Sequence, residues 1–246
     1  MPTPTFFGQN QVAAAGDGGL NPGSFLAGLD WDMDPDMISG NDNDPVVDWF
    51  DVSGADKHYG QNTGTAQPTL KKNAYNGHAC VRFATNDFLT QDPNPRTHSA
   101  TNTLILVCTP GSGTEYILGG NGGEGGVAII TQFGGIDFEY FYTSGGERAT
   151  FASSAPGLHI LTIARTDDTG NYKLYFDGTE VVSNAVNTSN DWNGNAIIDI
   201  GNNGNAAGDA FYNGDIAYII HFNQNHAGTS GLDDLHDAIK ARFGIA

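Results

Sequence analysis

Three runs decide the fold: Asn171-Tyr-Lys-Leu-Tyr-Phe-Asp-Gly178, Ala196-Ile-Ile-Asp-Ile-Gly201 and Phe211-Tyr-Asn-Gly-Asp-Ile-Ala-Tyr-Ile-Ile-His-Phe222. Each is a short stretch rich in β-branched and aromatic residues, and Asp-Gly, Asn-Gly or Gly-Asn pairs punctuate the gaps. Asp177-Gly178 directly follows Leu174-Tyr-Phe176, a hairpin signal because both turn residues need positive φ. In the last run, alternation sets Ile216, Tyr218, Ile220 and Phe222 on one face and Ala217, Ile219 and His221 on the other. Both faces are largely apolar, so this strand is expected at the centre of a sheet that is covered on both sides.

Working outward, strand signals recur at short intervals. Ala79–Phe83 alternates, with Ala79, Val81 and Phe83 inward and Arg82 outward. Thr103–Cys108 is apolar on both faces. Glu115–Leu118, 126–133 and 136–143 form a meander separated by glycine turns, and 158–165, 173–176 and 196–200 complete the set. Many short strands with regular turn signals indicate a sandwich or jelly roll. The chain closes on a helix. Ser230 is placed as its N-cap with Asp233 near the positive end of the dipole. Leu232, Leu235, Ile239 and Phe243 share one face, and Gly244 is the C-cap.

The Tyr175-Phe-Asp-Gly178 turn, Ile200-Gly201 and Asn213-Gly-Asp-Ile-Ala217 resemble the laminin-G-like, concanavalin-A-like jelly-roll family. So do Asp48-Trp-Phe-Asp-Val-Ser-Gly54, Gln67-Pro-Thr69 and Asn76-Gly-His-Ala-Cys-Val-Arg-Phe83. The resemblance covers residues 46–246. It implies an all-β antiparallel sandwich with one short C-terminal helix at the sandwich edge. It implies no activity, because the matching residues belong to turns and core.

Bulk properties agree. Thirty-four glycines, 15% charged residues and 11% aromatics suit a turn-rich β protein with an ample core. The 28 acidic and 10 basic residues give a net charge of −18, a surface that repels phosphate backbones and anionic membranes. Nucleic acid and membrane are therefore not expected partners. No apolar run reaches the roughly 18 residues that a membrane span needs. Residues 1–30 show neither a basic nor an apolar leader region, so synthesis and folding in a cytoplasm are expected. Cys80 and Cys108 each sit in an apolar strand, either as buried thiols or as a disulfide.

Residues 1–45 read as an extended arm followed by an acidic loop. The first 29 residues are rich in Gly, Pro and Ala with scattered Phe6, Phe7, Phe25 and Leu26. Asp30, Asp32, Asp34, Asp36, Asp42 and Asp44 then follow within 15 residues. A calcium-binding helix–loop–helix needs Gly at its sixth position and Glu at its twelfth. Counted from Asp30, those positions hold Pro35 and Asn41. The alternatives are a solvated acidic loop and an irregular calcium site on Asp30, Asp32 and Asp34.

Catalytic signals are missing. A retaining glycosidase needs two carboxylates about 5 Å apart. Asp137 and Glu139 share a strand face, but Gly135 stands where the glucanase branch of the family has its first glutamate. The seven histidines show no zinc spacing. No Gly-x-Ser-x-Gly elbow is present, and Gly119-Gly-Asn-Gly-Gly-Glu-Gly-Gly126 lacks the lysine of a phosphate loop. A sugar site needs an aromatic platform among amides. Trp192 with Asn193, and Tyr212 with Asn213, are the candidates, against a rim-packing role for the tryptophan. Tyr140 and Tyr142 fall on the apolar side of their strand and read as core.

These observations lead to a non-enzymatic attachment protein. Lectin-like jelly rolls recur as bacteriophage head decorations, head fibres and tail parts. The expected setting is therefore a virion, with residues 1–29 contacting other virion proteins, the chain oligomeric within the assembly, and host glycans as a further partner. The alternative is a glycan-binding module of a cell-surface or secreted system, or a glycoside hydrolase relative without its catalytic pair.

Overall fold

The computed structural model describes residues 19–55, 57–91, 101–111, 113–120, 127–132, 137–142, 147–153, 156–165, 171–185, 198–202 and 211–246. In chain order the strands are β1 (Leu29–Met33), β2 (Asp48–Trp49), β3 (Tyr59–Gly60), β4 (Thr69–Tyr75), β5 (His78–Phe83), β6 (Thr90–Gln91), β7 (Asn102–Cys108) and β8 (Glu115–Gly120). They continue with β9 (Val127–Gln132), β10 (Asp137–Tyr142), β11 (Glu147–Ser153), β12 (His159–Arg165), β13 (Asn171–Phe176), β14 (Thr179–Ala185), β15 (Ile198–Ile200) and β16 (Gly214–Phe222). Among the described residues one α-helix, α1 (Ser230–Phe243), follows, besides three short 3-10 turns at Pro22–Ser24, Pro35–Met37 and Gly64–Ala66.

The strands form an antiparallel β-sandwich. The main sheet runs β14-β13-β12-β7-β16-β5-β4, with β1 also paired to β16. A second sheet runs β11-β10-β9-β8-β15, and a small one β2-β3-β6. The expected meander is β8 to β11. The Asp177-Gly178 turn has φ of 47° and 79°, and Asn76-Gly77 has 48° and 89°. Both pairs therefore close two-residue hairpins whose twist matches the strands.

The core lies on both sides of the main sheet. Between the sheets, Leu104, Leu106, Phe83, Leu161, Ile163, Ile216 and Ile219 pack against Ile117, Leu118 and Ile200. On the outer face, Ile105, Val107, Ile160, Tyr218, Ile220 and Phe222 pack against Leu232, Leu235, Ile239 and Phe243 of α1. The helix thus lies on the sheet face rather than at the sandwich edge. Each fully buried helix side chain contributes about 1.5–3 kcal/mol there, and a site at the edge would leave that stripe half wet. The N-cap is Thr229, whose side chain accepts the Leu232 N–H, one residue before the serine expected in that role. Gly244 closes the helix at φ 68°.

Strand β16 is central, but its faces are not those that strict alternation gives. A bulge between Ile216 and Tyr218 in the pairing with β7 inserts one residue. Ile216 and Ile219 therefore both face the inter-sheet core, while Ala217 joins Tyr218, Ile220 and Phe222 on the helix side. Cys80 lies on the helix side and Cys108 between the sheets, both as free thiols.

The segment read as arm and acidic loop is, from residue 19 on, part of the sandwich. Strand β1 pairs antiparallel with the second half of β16, beyond the short stretch that β5 covers. Trp31 and Met33 enter the inter-sheet core, and Leu26 is buried on the helix side with Leu20 and Phe25 packed against that cluster. Among the described residues no helix is long and apolar enough to cross a membrane.

Candidate carbohydrate-binding surface

The acidic residues of β1 and of the turn that follows it divide between two charge networks. Asp30 accepts from Lys57 Nζ and lies 3.0 Å from His221 Nδ1. Burial would raise its carboxyl, but the bonds to His221 and Lys57 hold it well below the usual range. His221 is itself buried and stacks on Trp31 at 5.5 Å. Asp34 and Asp36 belong to the second network, under the last turn of α1. Arg242 Nη2 donates to both Asp34 oxygens and to Asp36 Oδ2, each at 2.8 Å. Burial nevertheless pushes Asp34 up against the pull of Arg242. Asp32, between the two, is buried; its burial first, then the charges of Asp34 and Asp51, push it up to about 7.

Asp30, Asp32 and Asp34 are therefore neither a solvated loop nor one ion's ligand set. Among the described residues no group of three or more His, Cys, Asp or Glu side chains has the arrangement of a metal site. Asp30 ties β1 to β16, and Asp34 ties the turn after β1 to α1.

Of the expected sugar platform, Trp192 and Asn193 lie outside the described residues. Tyr212 is a core residue. It is 0% exposed, its ring packs at 6.0 Å from that of Phe83, and its hydroxyl lies 2.6 Å from the Thr109 carbonyl and 3.1 Å from that of Asp215. The packing against Phe83 and the bond from the hydroxyl to the Thr109 carbonyl hold the ring inward. Asn213 is exposed, with its N–H donated to Glu115 Oε2 at 2.8 Å, but the neighbouring tyrosine offers it no ring face. The side chains of Asp137, Glu139, Tyr140 and Tyr142 in β10 lie outside the described set.

The structure instead presents an aromatic surface on the segment around β2. Phe50 is 49% exposed, with Val47 at 42% and Val52 at 41%. Trp49 and Asp51, on either side of Phe50, are buried. Two adjacent aromatics on an extended chain point to opposite sides, so burying Trp49 turns Phe50 out. That adjacency was the available signal in the sequence.

The loop behind this ridge is pinned. Asp51 Oδ1 accepts the Asp32 and Ser53 N–H groups at 2.9 Å each, and Oδ2 accepts Ser53 Oγ at 2.9 Å and the Lys57 N–H at 3.2 Å. The Asp51 N–H donates to His58 Nδ1 at 3.0 Å, and the His58 ring meets Phe50 edge-on at 4.8 Å and 74°. With Nδ1 accepting, the proton of a neutral His58 sits on Nε2. Asp48 shares the outward side with Phe50. Its carboxylate lies over Gly60, where a Cβ would stand 2.8 Å from Oδ1. Chemically this is an exposed apolar ring on a segment tied down by hydrogen bonds to the Asp51 carboxylate.

No protein-family model matches the chain, and no curated protein sequence matches it. Solved structures do. The binding domain of Paraclostridial Mosquitocidal Protein 1 aligns with 86% of this chain at TM-score 0.63 and 13% identity. The botulinum neurotoxin serotype D binding domain aligns with 86% at 0.61 and 12%. Trypanosoma rangeli sialidase in complex with sialic acid aligns with 86% at 0.60 and 15%. The chain spans about half the length of the two binding domains, 52% and 51%, and 33% of the sialidase. Identities at this level carry the sandwich fold alone.

Proposed function

We propose that this chain is a non-enzymatic attachment module whose sandwich binds surface glycans. The observation that carries the reading is the exposed Phe50 ring on a loop fixed by the Asp51 hydrogen bonds. A preorganised aromatic face spends little entropy on binding, and that is what a shallow sugar site requires. The fold supports it, since a similar sandwich makes up about half of the binding domain of the mosquitocidal protein and of the neurotoxin. Within this reading the domain is a laminin-G-like, concanavalin-A-like jelly roll.

Its setting is display on a particle, a bacteriophage head or tail among the candidates. Residues 19–29 are docked on the sandwich, so the segment left to contact other particle proteins is residues 1–18. Multiple copies in an assembly would multiply weak individual sites. A glycan array probed with the purified chain, with and without calcium, tests the reading. Saturable binding to at least one glycan class is expected; silence across the array under both conditions refutes it. A chain beginning at residue 19 should keep that binding while losing incorporation into the particle.

A further inference from the structure

We infer that one proton, carried by Asp32, fastens residues 19–28 to the sandwich, and that the segment loosens when this proton leaves. The segment is held largely by packing. Leu26 is buried in the helix-side cluster, with Leu20 and Phe25 packed against it. At its far end the Gly28 carbonyl accepts the Asn223 N–H at 2.8 Å, and the Ala27 carbonyl lies 2.9 Å from His226 Nε2. From residue 19 to residue 26, the one hydrogen bond to the sandwich among the described residues runs from the Tyr218 hydroxyl to the Leu20 carbonyl, at 3.5 Å.

That hydroxyl has a second neighbour. It is also hydrogen-bonded to the Asp32 carboxyl. A phenol has one proton to give. An ionised Asp32 can only accept, so the Tyr218 proton goes to the carboxylate, the stronger acceptor, and the Leu20 carbonyl loses its donor. A protonated Asp32 can donate its own O–H to the Tyr218 oxygen, which leaves the phenolic proton for Leu20. The two states differ by a single proton, and only the protonated one bonds the segment.

The surroundings keep that proton in place. Asp34 from the following turn and Asp51 from the loop after β2 act on Asp32 as like charges. Arg242 of α1 is bonded to Asp34 and Asp36, His78 of β5 lies on Asp36, and Lys57 and His221 of β16 lie on Asp30. Asp32 Oδ1 is buried and meets no donor among the described residues. Burial pushes the carboxyl up to about 7, so the proton is held in mild acid and released in mild base. Under the attachment reading, loosening lengthens the segment available to other particle proteins from residues 1–18 to residues 1–28. That use rests on the reading above; the proton linkage does not.

Hydrogen exchange of the full chain, read by mass spectrometry and corrected for the intrinsic pH dependence of exchange, tests the linkage. Strand β7 is the reference for opening of the whole fold. Residues 19–28 should be less protected than β7 at every pH. Their protection should fall about tenfold or more between about pH 5 and about pH 8, a tenfold fall meaning that docking raises the Asp32 pKa by about one. In Asp32→Asn and in Tyr218→Phe it should stay level across that range. Level protection in the wild type overturns the inference. So does a fall retained in Asp32→Asn, which would assign the effect to another group such as His226. A fall retained in Tyr218→Phe overturns the part given to the hydroxyl. Protection equal to that of β7 at every pH overturns the inference as well, because the segment would then open only with the fold. Glycan binding is read separately by the array, so failure of one leaves the other standing.

Discussion

Replacing Asp32 by Asn should make the protein's stability less dependent on pH, and the size of the effect follows from the burial of one carboxyl. Asp32 is 4% exposed on β1, and burial is the main reason its pKa rises from 3.8 to about 7. A hydrogen bond from Tyr218 opposes the rise, the charges of Asp34 and Asp51 add to it, and Arg242 opposes it weakly. Arg242 is held by Asp34 and Asp36, so Asp32 has no cation of its own. Between pH 3.8 and about 7 the native state holds a proton that the unfolded chain has released. Stability therefore falls as pH rises through that window and is flat above it. Three pKa units at about 1.4 kcal/mol each set a ceiling of about 4 kcal/mol. Asn carries no titrating proton, and its Oδ1 still accepts from Tyr218. Relative to wild type, Asp32→Asn should gain stability from pH 4 to pH 8 by up to about that amount. Asp199, pushed up to about 7 by burial, acts in the same direction, and His236, pushed down to about 4 by burial, acts against it. Both are present in either protein and cancel in the difference. Urea unfolding followed by tryptophan fluorescence at several pH values reads the difference directly. A constant difference from pH 5 to pH 8 would refute the reasoning.

Arg242→Met should cost about 3–5 kcal/mol in urea unfolding, because it strands Asp34 at 4% side-chain exposure; adding Asp34→Asn should recover more than half. Gly201→Ala should lower the thermal midpoint by an amount corresponding to about 2–4 kcal/mol, since φ is +85° and a Cβ would stand 2.6 Å from Phe83 Cδ1 and 2.9 Å from the Asp87 carbonyl. Gly54→Ala, at φ +89° with nothing within 4 Å, isolates the conformational share and should cost only about 1 kcal/mol. Thr229→Ala should cost about 1 kcal/mol through the lost cap, while Ser230→Ala should stay within about 0.5 kcal/mol; equal losses would mean that the serine shares the capping.

What the sequence revealed follows pattern length. Strand β7 was legible because six consecutive apolar or β-branched residues admit few alternatives. The helix was legible because four apolar residues at helical spacing ended on a glycine. Strands β2, β3 and β6 are two residues each, too short to show a period. Strand β1 was hidden by its own composition. Carboxylates at every second position look solvated unless their partners are known, and those partners, Arg242 and His221, lie 208 and 191 residues away. The faces of β16 were misassigned because a bulge leaves no mark on hydrophobicity. Tyr212 failed as a platform for a related reason: amide neighbours suggested a wet loop, while the hydroxyl's two carbonyl partners come from Thr109, far along the chain, and from Asp215.

The same long-range pairing restricts where recognition can occur. One face of the main sheet is sealed by α1, and Arg242 fixes the end of that helix to Asp34 and Asp36 beyond the end of β1. The other face is sealed by the second sheet through Ile117, Leu118 and Ile200. A ligand therefore cannot use the two faces of the main sheet, and among the described residues the places open to it include those where apolar area is left uncovered. Apart from Val181 and Met37, the large apolar side chains exposed among the described residues are Val47, Phe50 and Val52. Single exposed apolar residues need no explanation, but three within six positions on a loop pinned by four hydrogen bonds to one carboxylate do. Burying them would gain stability, and their exposure among the described residues is what the proposed attachment role requires.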